Sequence, residues 1–189
     1  MIHLVIGGAR SGKSRFAESL VESLQINRQA SKVSYVATAT ADDNEMAFRI
    51  SHHQKNRPDS WGLIEERFYL ASLIARLNQS NQIILIDCMT LWISNWLCDD
   101  GRGPAAWRTQ SEEFLKTLSD SQAKIIIVSN EVGSGIVPMG SLSREFVDQA
   151  GWLNQKLTET VSDVTLVVSG IPIGLKTDGQ YEKNIRILS

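Results

Sequence analysis

Short apolar runs alternate along this chain with longer amphipathic stretches. The runs Ile2–Ile6, Val33–Ala37, Ile83–Ile86, Ile125–Val128 and Val164–Val168 are rich in β-branched residues and bounded by polar residues or glycine. That pattern predicts strands buried on both faces, as in a parallel sheet. Between most of them the apolar residues recur at helical spacing. Helices are predicted over about Ser14–Leu24, Asn44–Gln54, Leu70–Leu77, Thr90–Leu97, Ala105–Leu118 and Ser143–Val161. Strands alternating with helices predict an α/β fold, a mainly parallel sheet flanked by helices. Asp99–Pro104 reads as a surface loop, with Pro104 suited to a helix start. Gly133–Gly140 reads as a second glycine-bearing loop. The polar tail ends in Ile185-Arg186-Ile187-Leu188, read as a short edge strand or a contact segment. With no internal repeat and no linker, residues 1–189 read as one domain, the tail 177–189 having no assigned role.

Ligands of such sheets bind beyond the carboxyl ends of the strands. Gly7–Ser14, Thr38–Thr40, Asp87, Ser129–Glu131 and Ser169–Gly170 are therefore expected on one rim. The rim's first segment carries the strongest chemistry. Gly7-Gly8-Ala9-Arg10-Ser11-Gly12-Lys13-Ser14 fits the phosphate-binding pattern G-x-x-x-x-G-K-[ST], with a strand before it and a helix after it. Glycines let backbone N–H groups turn toward phosphate oxygens, and the helix N-terminus adds partial positive charge. Lys13 is expected on the β- and γ-phosphates and Ser14 on Mg²⁺. Asp87 closes a buried strand, where a carboxylate is either a second Mg²⁺ anchor or a cap on the next helix.

The segment Asp42–Pro58 is the second unusual stretch. If it is helical, Arg49, His53 and Arg57 share a face. Two cations beside an imidazole repel one another unless a polyanion lies across them. The bland alternative is a solvated helix that happens to carry His52 and His53. Pro58 weakens the alignment at Arg57. Glu65 and Asn130-Glu131 are each open to a ligand contact or to an ordinary surface role.

Composition narrows the function classes. A net charge of −2 with scattered basic residues gives no electrostatic case for nucleic acid. Cys88 and Cys98 lack nearby Cys or His partners and read as buried free thiols, not a zinc site. The tryptophans, Trp61, Trp92, Trp96, Trp107 and Trp152, read as core or interface residues. The chain enters its first strand at once, with no signal peptide, and no apolar run approaches the ~20 residues that span a bilayer. A cytoplasmic protein without a membrane span is expected.

Taken together these motifs resemble the bifunctional adenosylcobinamide kinase / adenosylcobinamide-phosphate guanylyltransferase family of cobalamin biosynthesis. The resemblance is carried by Gly7–Ser14 with Arg15-Phe16-Ala17-Glu18, by Tyr35-Val36-Ala37-Thr38-Ala39, and by Glu45-Met46 with Arg49-Ile50 and His53. It continues through Arg57-Pro58, Asp87-Cys88 with Thr90-Leu91-Trp92, Ser129-Asn130-Glu131-Val132-Gly133, Gly135-Ile136-Val137-Pro138 and Val167-Val168-Ser169-Gly170.

The resemblance implies a phosphate-loop NTPase fold of recombinase-core type, assembled as a homotrimer. It implies phosphorylation of adenosylcobinamide with ATP or GTP. GMP would then pass from GTP to adenosylcobinamide phosphate through a GMP-histidine intermediate. By family spacing from Arg49-Ile50 that histidine is His53. Implied nucleotide contacts are Gly7, Gly8, Ala9, Arg10, Ser11, Gly12, Lys13, Ser14, Ala37, Thr38, Ala39, Gln54, Lys55, Asn56, Arg57, Glu65 and Asp87. Asn130–Gly135 and Trp92–Trp96 are the candidate corrinoid contacts. A plain small-molecule kinase and a nucleotide-dependent binding module are the competing readings.

Overall fold

The structure is a computed structural model that describes residues 1–26, 32–39, 58, 60–99 and 101–187; the side chains of 104 and 184–187 are not discussed. The predicted helix over Asn44–Gln54 lies outside these residues. Among the described residues the strands are β1 (Ile2–Gly7), β2 (Lys32–Ala37), β3 (Gly62–Glu65), β4 (Gln82–Asp87), β5 (Lys124–Asn130), β6 (Asp163–Val168), β7 (Ile171–Thr177) and β8 (Gln180–Ile187). The helices are α1 (Lys13–Ile26), α2 (Leu70–Leu77), α3 (Met89–Leu97), α4 (Gly103–Ser119) and α5 (Ser141–Thr160).

All the strands join one sheet in the order β3-β2-β4-β5-β1-β6-β7-β8. From β3 to β6 every pairing is parallel, while β7 and β8 add an antiparallel margin. The five predicted strands are the five adjacent central ones. Their alternation feeds two cores, because successive side chains leave opposite faces of a strand. Leu4, Ile84, Ile86, Ile125 and Ile127 pack on one face with Trp92, Trp107, Phe114 and Leu157. Val5, Ile83, Leu85, Ile126 and Val128 pack on the other with Ala17 and Val21 of α1. Helices α2 to α5 thus cover one face and α1 the other.

Three strands escaped the hydrophobic pattern as buried runs. Gly62–Glu65 is a short edge strand whose side chains are mostly exposed. The strands β7 and β8 form hairpins whose two-residue turns, Ser169-Gly170 and Asp178-Gly179, all have positive φ. Such turns match the twist of paired antiparallel strands. The tail, read as a short edge strand or contact segment, is an edge strand that begins earlier, at Gln180. Lys176 ties this margin to the body: its buried ammonium donates to the carbonyls of Thr158 and Val161, each at 2.7 Å, at the end of α5.

The bulky rings divide unevenly. Trp92, Trp96, Trp107 and Trp61 are buried, but Trp152 is exposed. Trp92 and Trp96 both donate their ring N–H to the carbonyl of Phe68, at 2.8 and 3.3 Å. Both rings are therefore core residues, one of the two readings made of them from the sequence. Pro104 does lie at the start of α4.

Candidate functional site

The strand registers bring the predicted segments side by side. Ala37 pairs with Asp87, Asp87 with Val128, Gly7 with Asn130, and Gly7 with Val167. Parallel strands end together, so Thr38, Asp87, Asn130, Gly7 and Gly170 share the expected rim. Backbone bonds lace it: Glu131 N–H to Gly7 O at 3.0 Å, Gly170 N–H to Ser11 O at 2.8 Å, Thr38 N–H to Asp87 O at 3.2 Å.

At Gly7 and Gly12 the loop requires glycine. A Cβ on Gly7 would sit 2.5 Å from the carbonyl oxygen of Val167 and 2.6 Å from Ser11 Oγ. Gly12 has a φ of +94° and lies against Gly170, so a side chain there is strained in either respect. The first helical bond, Phe16 N–H to Gly12 O at 3.0 Å, places Lys13 and Ser14 at the N-terminus of α1. The remaining N–H groups of that first turn have no intrahelical acceptor and suit an anion.

Lys13 is buried, and its ammonium donates to the Gly8 carbonyl at 3.1 Å. Burial lowers its pKa, while nearby Cys88 and Asp87 oppose that shift. Lys13 and Asp87 therefore lie within electrostatic reach of each other. The Asp87 carboxylate accepts the Tyr35 hydroxyl at 3.0 Å through one oxygen. It does not cap α3: Cys88 holds the cap position, with no side-chain cap bond. The Asp87–Cys88 peptide bond is cis.

Below this carboxylate is a closed polar knot. Thr38 Oγ donates to the Cys88 carbonyl at 2.7 Å and accepts its N–H at 2.8 Å. Asn130 donates to Thr90 Oγ at 2.6 Å, and Thr90 lies 3.1 Å from the Cys88 thiol. Asn95 donates to Thr38 O at 2.8 Å. These bonds fix the ends of β2, β4 and β5 against one another. Sequence reasoning assigned Thr38 and Asp87 to the rim but missed Tyr35, Thr90 and Asn95 as its braces. Polar residues among the apolar positions of α3 were the available signal.

Mg²⁺ fits this donor set. It binds through one or two protein oxygens and completes its shell with water and phosphate. Ser14 and the Asp87 carboxylate offer hard oxygen donors on one rim. Tyr35 engages only one Asp87 oxygen, and the other makes no hydrogen bond among the described residues. Among those residues no cluster of three or more His, Cys, Asp or Glu forms a metal site by itself. Glu65 lies beside Ala37 at the end of β3 and is exposed. His52, His53, Arg49 and the segment Gln54, Lys55, Asn56, Arg57 lie outside the described residues, so the histidine-helix expectation has no structural counterpart here.

The two thiols differ, contrary to the expectation that both are buried. Cys88 is buried and Cys98 exposed. Burial and the Asp87 charge push the Cys88 thiol up to about 11, against smaller opposing effects of Thr90 and Lys13. Only the thiolate reacts rapidly. A maleimide at neutral pH is thus expected to label Cys98 within minutes and Cys88 only after unfolding. Equal labelling of both in the folded protein would contradict the packing of the knot.

The chain matches the family described as cobinamide kinase / cobinamide phosphate guanyltransferase over residues 3–175. It is 44% identical to the bifunctional adenosylcobalamin biosynthesis protein CobP of Pseudomonas aeruginosa, over 93% of this chain and 98% of that one. It is 40% identical to the bifunctional adenosylcobalamin biosynthesis protein CobU of Escherichia coli, over 93% of this chain and the whole of that one. Among solved structures the fold is similar to the ATPase domain of a helicase, with a TM-score of 0.57 at 12% identity over 99% of this chain and 79% of that one. A second likeness is to the flagellar accessory protein FlaH of Methanocaldococcus jannaschii, with a TM-score of 0.50 at 14% identity over the whole of this chain and 89% of that one. The expected phosphate-loop, recombinase-core-like fold is the one observed. With a family match over residues 3–175 and relatives 40–44% identical over nearly their whole length, the chain belongs to the cobinamide kinase / cobinamide phosphate guanyltransferase family and is an enzyme of those two activities.

Proposed function

We propose that one nucleotide site, acting within a single catalytic domain of residues 1–189, serves both reactions in turn. The observation that carries this reading is the shared rim, where Gly7–Ser14 adjoins Asp87 and Asn130 across consecutive strands. In the first reaction the phosphate loop cradles ATP or GTP. The aminopropanol hydroxyl of adenosylcobinamide attacks the γ-phosphorus and gives up its proton to solvent, the bond to the β-phosphate oxygen breaks, and the nucleoside diphosphate leaves with its charge against Lys13. Mg²⁺ held by Ser14 and Asp87 would supply electrostatic stabilisation of phosphate charge.

In the second reaction GTP occupies the same loop. A neutral His53 nitrogen attacks the α-phosphorus and pyrophosphate departs, leaving GMP on the ring as a phosphoramidate. A phosphate oxygen of adenosylcobinamide phosphate then attacks that phosphorus, the P–N bond breaks, and adenosylcobinamide-GDP forms. The covalent stage lets pyrophosphate leave before the acceptor attacks. On a helical Asp42–Pro58 segment, Arg49 and Arg57 would share the face of His53 by spacing and offset charge at the α-phosphate. Ala37, Thr38, Ala39, Gln54, Lys55, Asn56 and Glu65 complete the nucleotide site, Glu65 accepting from the base or ribose. A cytoplasmic homotrimer is the proposed assembly.

The test is incubation of the purified protein with GTP, followed by mass spectrometry and a corrinoid-dependent phosphate assay. An acid-labile, alkali-stable GMP adduct is expected, together with corrinoid-dependent consumption of triphosphate. Consumption without an adduct would reduce the protein to a plain kinase, and binding with neither to a binding module.

A further inference from the structure

The sheet order puts β5 between β4, which ends in Asp87, and β1, which runs into the phosphate loop. A side chain at the end of β5 therefore stands between the two elements that would hold a triphosphate. That residue is Asn130, paired with Gly7 in the sheet. The β5 residue paired with Asp87 is Val128. Asn130 thus lies two residues further along the strand direction than the carboxylate, about 7 Å closer to the ligand side at the usual rise.

Alternation decides which face Asn130 uses. Ile126 and Val128 pack with Ala17 and Val21 of α1. Asn130 follows at the same parity, so it belongs to the face covered by α1, the helix that begins with Lys13 and Ser14. Asp87 follows Ile83 and Leu85 onto that face by the same count. Ser129 has the opposite parity and is buried, and Glu131 Oε1 is taken up by the Gly133 N–H.

The Asn130 amide is also oriented. Its Nδ2 donates to Thr90 Oγ at 2.6 Å and, weakly, to Cys88 Sγ at 3.9 Å. Thr90 is buried and lies 3.1 Å from the same thiol. The N–H side of the amide is thereby turned into the knot. Its Oδ1 makes no hydrogen bond among the described residues and is not an enclosed atom. A carbonyl oxygen beside the γ-phosphate is no phosphate ligand, because both carry negative charge. It suits a donor, and the donor that reacts there is the attacking hydroxyl. Phosphoryl transfer depends on such orientation, since the protein has little covalent chemistry to do.

We propose that Asn130 Oδ1 accepts the hydrogen bond of the aminopropanol hydroxyl of adenosylcobinamide and aims its oxygen at the γ-phosphorus. This rests on the two-reaction reading above. The amide takes no proton: as the O–P bond forms and the bond to the β-phosphate oxygen breaks, the hydroxyl proton passes to solvent. Guanylyl transfer makes no use of this acceptor. Its attacking atoms are an imidazole nitrogen and then a phosphate oxygen, neither of which presents an O–H.

The test is Asn130→Ala, assayed for both reactions, beside Thr90→Val and Thr90→Ser. In Asn130→Ala the kcat for phosphorylation of adenosylcobinamide is expected to fall at least about thirtyfold, as for loss of orientation of a reacting group. The KM for the nucleotide, GMP-adduct formation and GMP transfer to adenosylcobinamide phosphate should stay within about threefold. Thr90→Val, which frees the amide to turn, should lower the same kcat several-fold, and Thr90→Ser, which keeps the hydroxyl, should restore it. An unchanged phosphorylation rate in Asn130→Ala would overturn the proposal. An equal fall of both reactions would also overturn it, by making Asn130 a brace of the rim. So would a fall that comes with an altered Mg²⁺ titration, which would turn the amide oxygen toward a metal-bound water. Wild-type protein that forms the adduct but never phosphorylates cobinamide would instead refute the reading beneath it.

Discussion

Replacing Lys13 or Asp87 by alanine is expected to lower both the kinase and the guanylyl-transfer rates by about a hundredfold or more, the usual cost of removing one charge-stabilising group from a preorganised site. The two activities should fall together, because one phosphate loop is proposed to hold the triphosphate in each. Lys13 is the buried ammonium of the loop, its pKa lowered by burial and held against a larger shift by Cys88 and Asp87. In Lys13→Ala no cation replaces it against the departing diphosphate or pyrophosphate. Asp87→Ala differs in one measurable respect: it should weaken the Mg²⁺ dependence of the rate, since the carboxylate is proposed to anchor the ion. The Tyr35 hydroxyl loses its acceptor in that variant, so Tyr35→Phe is the needed control. Tyr35→Phe should keep most of the activity. Wild-type turnover and an unchanged Mg²⁺ titration in Asp87→Ala would remove Asp87 from the metal site. Loss of only one activity in Lys13→Ala would mean that the two reactions use separate nucleotide sites.

What the sequence made legible follows from how each element is stabilised. The central strands announce themselves because both faces are buried, so Ile83–Ile86 and Ile125–Val128 read as unbroken apolar runs. The phosphate loop is equally plain, since tight backbone approach and positive φ demand glycine at Gly7 and Gly12. The antiparallel margin was harder. In β7 apolar and polar positions mix with Pro172 and Gly174, as suits a strand near a sheet edge. The usable signals were the Ser169-Gly170 and Asp178-Gly179 pairs, which mark two-residue hairpin turns. The bracing of the rim left a trace only as the polar positions Thr90 and Asn95 in α3, and none at Tyr35, because the partners lie far along the chain. Nor does spacing distinguish Cys98, which follows a buried helix yet faces outward, from Cys88. The outward-facing Ile136, Val137 and Met139 read as a glycine loop only.

His53→Ala is expected to abolish the GMP adduct and GMP transfer, while GTP binding and the kinase rate stay within a few-fold of wild type. The argument is one of angle. If the segment Asp42–Pro58 is helical, residues four apart share a face, and His53 would align with Arg49 before it and Arg57 after it. On such a helix His52 would be turned by roughly 100° from that face, toward Glu45 and Phe48. A nucleophile for the α-phosphorus needs cations beside it, to offset charge as the phosphoramidate forms, and only His53 has them by this spacing. The kinase step has no need of the imidazole, because its nucleophile is the substrate hydroxyl and its phosphates rest on Gly7–Ser14. The two activities should therefore separate in His53→Ala, whereas in Lys13→Ala they fall together. His52→Ala should keep the adduct. Peptide mass spectrometry after GTP treatment decides the matter. The GMP mass should appear on the peptide carrying both histidines in wild type and His52→Ala, and be missing from His53→Ala. The opposite pattern would assign the nucleophile to His52 and end the helix-face argument. An adduct lost in both variants would mean that the pair acts together, with His52 setting the protonation state of His53.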